Sequence, residues 1–209
     1  MTSDMRIPDY EVHPIFVARW SPRSFSNEVI DDATLFSLFE AARWAPSGNN
    51  SQPWRFIYAR RDSIHWDSFA DLLNEKNRLW ASKASALVIL VSKTTHVRKG
   101  ASEATPLRNH SLDAGAAWAN LALQAEFLGW KTHAIGGFDR EKARELLQVP
   151  AGFQVELAIA VGKQGDATSL AEEFLERERP TPRNPVNSFT AEGIFSFADD
   201  LAVREVVSR

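Results

Sequence analysis

The sequence predicts one domain of mixed helix and sheet, and three segments carry that prediction. Residues 86–91, Ala-Leu-Val-Ile-Leu-Val, form an unbroken β-branched-rich run, the pattern of a strand covered on both faces. Val155, Leu157, Ile159 and Val161 alternate at period two, as a second strand does. Residues 111–128 are helical in composition and apolar on almost every side, so this helix must be covered all round, by a core or by another subunit. With 209 residues and 44% hydrophobic content, the chain suits a single domain with a sizeable core.

The elements follow in order. Residues 10–19 predict a short first helix, ended where Ser21-Pro22 disfavours helical backbone. Asp31 or Asp32 caps the next helix, whose Leu35, Leu38, Phe39 and Ala42 follow helical spacing until Pro46 stops it. Residues 54–59 read as a strand and 63–74 as a helix. After the strand at 86–91, the polar and basic segment 93–108 reads as a loop or lid. Gly129 closes the helix at 111–128, residues 131–135 form a short strand, and Asp139 caps a helix that Pro150 ends. Beyond Arg179 comes a proline-spaced arm, Arg179-Pro180-Thr181-Pro182-Arg183-Asn184-Pro185, which lies along another surface rather than folding alone.

Bulk chemistry excludes several classes. A net charge of -3, without any basic run, offers no general attraction to nucleic acid. No apolar run approaches the ~20 residues that span a bilayer, and the first thirty residues lack a signal-peptide core. The absence of cysteine removes disulfides, thiolate metal sites and cysteine nucleophiles, and fits a cytoplasmic location.

Four constellations stand out. Arg19-Trp20-Ser21-Pro22-Arg23 sets two guanidiniums and a hydroxyl at a helix end, the donor set a phosphate dianion wants; two solvated arginines beside a turn explain the bare pattern as well. The segment 45–55, Ala-Pro-Ser-Gly-Asn-Asn-Ser-Gln-Pro-Trp-Arg, concentrates turn-makers and short hydrogen-bonding groups, as a loop facing a polar ligand does. Gly136-Gly137, between a strand and a capped helix, permits close backbone approach to a flat ligand or simply makes a tight turn. The arm adds Arg179 and Arg183. The five histidines show no metal-ligand spacing, and no protein-borne nucleophile stands out, so an enzyme built on this chain would leave its hard step to a cofactor.

In this order and spacing, these residues resemble the FMN-dependent nitroreductase family over about residues 12–190. The carrying features are the Arg-x-Ser-x-Arg start, the Pro-Ser-x-x-Asn-x-Gln-Pro-Trp loop, the Ala-rich helix closing at Leu128-Gly129, the Gly-Gly turn, the Val-Gly strand end and the arginine-bearing tail. The resemblance implies an α+β fold, a mixed and mostly antiparallel sheet flanked by helices, in an intertwined homodimer. It implies one FMN-binding domain over residues 1–190 and an arm over 180–209 packing on the partner. Arg19, Ser21 and Arg23, with Trp20 through its backbone, would hold the FMN phosphate and ribityl chain, completed by Arg183. Pro46, Ser47, Gly48 and Asn50 would reach the partner's flavin ring, Asn77 would bond the ring's polar edge, and Gly136 with Gly137 would face flavin N5.

The implied activity is NAD(P)H-dependent reduction of small planar acceptors, nitroaromatics or quinones, by a ping-pong exchange with no catalytic side chain and no metal. The same fold also serves flavin destructase and dehalogenase chemistries, and non-catalytic FMN binding. Tyr10 and Tyr58, the only tyrosines, fall outside the lid that would clamp a halotyrosine. Two positions depart from the family pattern: Gly136 stands where a glutamate is common, and Thr181 where a basic residue is common. Arg98, Lys99 and Arg108 read as solvated cations rather than readers of a nicotinamide 2′-phosphate.

Overall fold

The computed structural model describes residues 6–97, 100 and 102–197. Arg98 and Lys99, and the arm beyond residue 197, lie outside the described residues. The chain divides into two compact units, Ala18–Arg179 and a unit of the two chain ends, Met1–Val17 with Pro180–Arg209.

The elements in chain order are α1 (Pro14–Ala18), α2 (Asp32–Arg43), β1 (Trp54–Arg60), α3 (Trp66–Ala70), α4 (Glu75–Ala81), β2 (Ala86–Lys93), β3 (Thr95–Val97), β4 (Ala104–Pro106), α5 (His110–Phe127), β5 (Lys131–Ile135), α6 (Arg140–Leu146), β6 (Phe153–Gly162) and α7 (Glu172–Leu175). The main sheet has four strands in the order β1-β2-β6-β5, and every described pair is antiparallel. Ile57, Ile89, Ala158 and Ile135 make one register row across it. The α+β reading is therefore confirmed, with an antiparallel sheet flanked by helices.

The buried run in β2 splits by parity, as the pleat demands. Leu87, Ile89 and Val91 join Trp80, Phe69, Phe138 and Ala160 in a core on one face. Ala86, Val88 and Leu90 join Leu35, Leu38, Leu121 and Ile159 on the other, beneath α2 and α5. Covering on both faces is what the unbroken apolar run foretold.

Three expectations are corrected. The first helix covers only Pro14–Ala18 of 10–19, beginning at a proline, whose fixed φ suits a first helical turn. The helix expected over 63–74 is two: α3 ends at Ala70, and Asn74 then caps α4 by accepting from the Asn77 amide at 2.9 Å. Leu73 between them makes a bridge to Phe138, which uses the chain as sheet rather than helix. The segment 93–108 is not plain loop, since β3 and β4 pair within it. Within the single chain, the core covers α5 on one face, which leaves the expected cover by another subunit open. Ala114, Ala117, Leu121 and Ala125 are buried, whereas Leu112 is 72% and Phe127 64% exposed.

In the unit of chain ends, Asp9 accepts a hydrogen bond from the Val186 amide at 2.7 Å. A groove of about 470 Å³ runs there, lined by Ile7, Val12, Phe16, Val186 and Phe189 among others. Among the described residues, no helix is long and apolar enough to cross a membrane, and no cluster of histidine and acidic residues could hold a metal.

Candidate functional site

The segment after α1 turns beside the end of β6: the Ser26 amide donates to Lys163 O at 3.0 Å and Phe25 bridges Gln164. Within it, Arg19 Nη1 donates to Ser21 Oγ at 3.2 Å, and Trp20 is half-buried between them. His133 of β5 holds the turn by bonding Pro22 O through Nδ1 at 3.0 Å. A carbonyl only accepts, so Nδ1 carries a proton. Burial is the main reason that the His133 pKa falls to about 4, with the Arg23 charge adding to it and the Pro22 bond opposing. The His133 ring lies 4.6 Å from the Trp80 ring of α4, and the Arg23 guanidinium sits over that indole at 5.9 Å. Burial, then the Arg177 charge, lowers the Arg23 pKa against the opposing Glu178.

Asn77 lies one helical turn before Trp80. Its Nδ2 donates to Gly137 O at 3.0 Å, and the Asn74 amide donates to the same oxygen at 3.1 Å. A Cβ at Gly137 would meet Asn74 Nδ2 at 2.4 Å and Asn77 Nδ2 at 2.6 Å, so glycine is required for the approach. A Cβ at Gly136 would meet nothing within 4 Å, leaving an open backbone face. Trp80 and His133 thus link segments far apart in sequence: Arg23 and the Pro22 carbonyl meet them directly, and Asn77, on the helix of Trp80, holds Gly137.

The loop Pro46–Asn50 is built elsewhere. Asn49, Asn50 and Gln52 adopt positive φ of 52°, 53° and 46°, a region that asparagine tolerates best among residues with a side chain. Ser47 Oγ accepts from the Gln52 amide at 3.0 Å, and the Gly48 amide donates to Asp113 Oδ2 at 3.1 Å, tying the loop to the first turn of α5. Pro46, Ser47, Gly48, Leu112, Gly115 and Ala116 line a cavity of about 570 Å³ there. Ser51 Oγ is buried without a hydrogen-bond partner.

This loop enters β1, at one edge of the sheet, whereas Gly136-Gly137 leaves β5, at the other. Three interstrand spacings, roughly 14 Å, separate those edges. The two halves of the sequence-predicted site are therefore not one pocket in a single chain. Arg183, in the unit of chain ends, donates to Thr181 O, Thr181 Oγ1 and Pro182 O at 3.0 to 3.3 Å. Thr181, where the family often has a basic residue, is here a partner of that guanidinium.

Sequence reasoning did not single out Trp80, His133, Glu178 or the network at the start of α5. In that network Ser92 Oγ donates to Glu156 Oε1 at 2.5 Å and lies 2.7 Å from His110 Nδ1, while Ser111 Oγ donates to the same carboxylate oxygen at 2.7 Å. The register between β2 and β6 shifts at Leu90/Val91, so that Glu156 is skipped in the pairing; such a bulge re-aims a side chain. These four residues pin α5 to the sheet.

A sequence profile described as the Nitroreductase family matches residues 17–163, and the chain belongs to that family. It is 41% identical to a solved oxidoreductase described as containing FMN, with a TM-score of 0.89 over 94% of this chain and 99% of that one. An Archaeoglobus fulgidus protein, provisionally named an NADH dehydrogenase/NAD(P)H nitroreductase, is 28% identical over 74% of this chain and 86% of its own. A Streptomyces coelicolor protein with the same provisional name is 36% identical over 91 residues, and the match spans only 44% of that relative's length.

Proposed function

We propose that the protein is an FMN-dependent oxidoreductase that draws reducing equivalents from NAD(P)H and delivers them to small planar acceptors such as nitroaromatics or quinones. One observation carries the reading: the segment of the phosphate-type donors Arg19, Ser21 and Arg23 meets α4 where Arg23 lies over Trp80, and the same helix carries Asn77, which bonds the Gly137 carbonyl. The residues fit the cofactor. Two guanidiniums and a hydroxyl match a phosphate dianion, and contacts to such a charge are worth roughly 1.5–3 kcal/mol each. The uncluttered Gly136 face suits a planar ring.

FMN, when bound, supplies two-electron chemistry that no side chain here offers. The chain's own work is positional. Arg19, Ser21 and Arg23 neutralise the phosphate. Asn77 and the Gly136-Gly137 backbone orient the polar edge of the ring, and Pro46, Ser47, Gly48 and Asn50 serve the flavin of a partner subunit. Donor and acceptor take turns at the same face, so steady-state kinetics should give parallel double-reciprocal lines; intersecting lines would count against the exchange. The direct test is anaerobic titration of the purified yellow protein with NADH and with NADPH. Bleaching by either nicotinamide, followed by reoxidation on adding a nitroaromatic or quinone, is expected. Flavin that neither nicotinamide bleaches would make the protein a binder instead.

A further inference from the structure

The Arg19–Arg23 turn is held from below by a carboxylate that the proposed cofactor chemistry does not use. Glu178 lies 155 residues away in sequence, just after α7. Its Oε1 and Oε2 accept from the Arg23 amide at 3.0 and 2.9 Å, and Oε1 also accepts from the Ser24 amide at 2.8 Å and Ser24 Oγ at 2.7 Å. Ser24 is fully buried, so two of these bonds lead into the interior. Successive amides converging on one anion form a nest, and charge-assisted bonds of this length are the strong kind.

The electrostatics fix the purpose of that anion. Arg23 faces Arg177, a like charge, and Glu178 opposes it. Without a carboxylate in the nest, the Arg23 and Ser24 amides would lose their acceptor and Arg23 would face Arg177 without the opposing charge. Glu178 acts on Arg23 through its backbone amide and through its charge.

We infer that Glu178 is a positioning residue: its carboxylate, seated in the Arg23–Ser24 amide nest, pre-arranges the Arg19–Ser21–Arg23 turn to receive the phosphate of the flavin nucleotide. This inference rests on the FMN reading of the same turn. A preformed cradle avoids the ordering cost that a loose one would meet at binding. Its effect is confined to ligands that carry the phosphate.

The test compares FMN with riboflavin, which shares the ring and ribityl chain but lacks the phosphate. In the wild-type dialysed apoprotein, FMN should bind much more tightly than riboflavin. In Glu178→Gln the FMN Kd should rise about tenfold or more, one charge-assisted contact's worth, with riboflavin affinity unchanged. Asp at the same position, keeping the charge, should restore part of the difference. If Glu178→Gln does not fold, Ser24→Ala removes one bond to the same carboxylate and should lower the FMN-to-riboflavin ratio in the same direction. A variant that keeps the wild-type ratio, or binds FMN more tightly because an anion has left, overturns the inference while leaving the FMN reading intact. A wild type that does not distinguish FMN from riboflavin overturns the phosphate cradle itself.

Discussion

Gly137 and His133 show how single positions set the geometry of this site. The Gly137 carbonyl takes bonds from Asn77 Nδ2 and the Asn74 amide, and its Cα faces both asparagine side chains. Gly137→Ala puts a methyl inside contact distance of two side-chain amides; Asn77 cannot retreat without losing its bond to Gly137 O, nor Asn74 without losing its cap to the Asn77 amide. Overpacking of this kind costs about 1–3 kcal/mol, so urea denaturation should show a lower midpoint with an unchanged slope. His133 supplies a pH signature. Its folded pKa of about 4 lies below the ordinary 6.5, so the unfolded chain binds the extra proton first. Stability from this residue is fully present above pH 6.5 and is lost progressively as pH falls toward 4. The loss is of the order of 2 kcal/mol, reduced by partial exposure of the ring. His133→Gln should flatten the stability profile across that window; a profile as steep as the wild type would assign the titration to another group.

At the scale of elements, legibility followed periodicity. β2, β5, β6, α2 and α6 were readable because a pleat or a helical stripe leaves its period in the apolar residues, and Asp31 and Asp139 announce their helices as caps. α4 was not readable. Only seven residues long, it follows a capping asparagine that looks like the middle of a longer helix. The Glu178 nest left no local signal at all, since its partners are 154 and 155 residues distant. The loop from Pro46 was legible as unusual, but its tie to α5 through Asp113 was not. Its left-handed asparagines sharpen the choice of variant there. Asn50→Leu would strain a residue at φ 53° as well as remove the amide, whereas Asn50→Gly keeps the backbone and deletes only the side chain. Asn50→Gly should weaken FMN retention several-fold with little change in melting temperature; wild-type retention would remove Asn50 from the site.

For the whole molecule, the sheet decides what one chain can do. The Gly136-Gly137 turn and the Pro46–Asn50 loop flank opposite edges, so a flavin resting on the first is out of reach of the second. In a symmetric pair of chains, as proposed above, each would give its loop to the other's cradle. Leu112, Ala119 and Phe127 of α5 are exposed, and with the half-buried Leu123 they form an apolar stripe at spacings of seven and four that such a pairing would cover. Ala119→Glu places a charge in the middle of that stripe, at an exposed position where the single chain has no objection to it. The expected outcome is a shift from dimer to monomer by light scattering, unchanged far-ultraviolet circular dichroism, and loss of bound flavin in parallel with the dimer. If Ala119→Glu stays dimeric and yellow, α5 is not the contact. If the wild type is a monomer that holds FMN through gel filtration, the loop and the cradle do not need two chains, and the separation across the sheet would have to be bridged by movement within one.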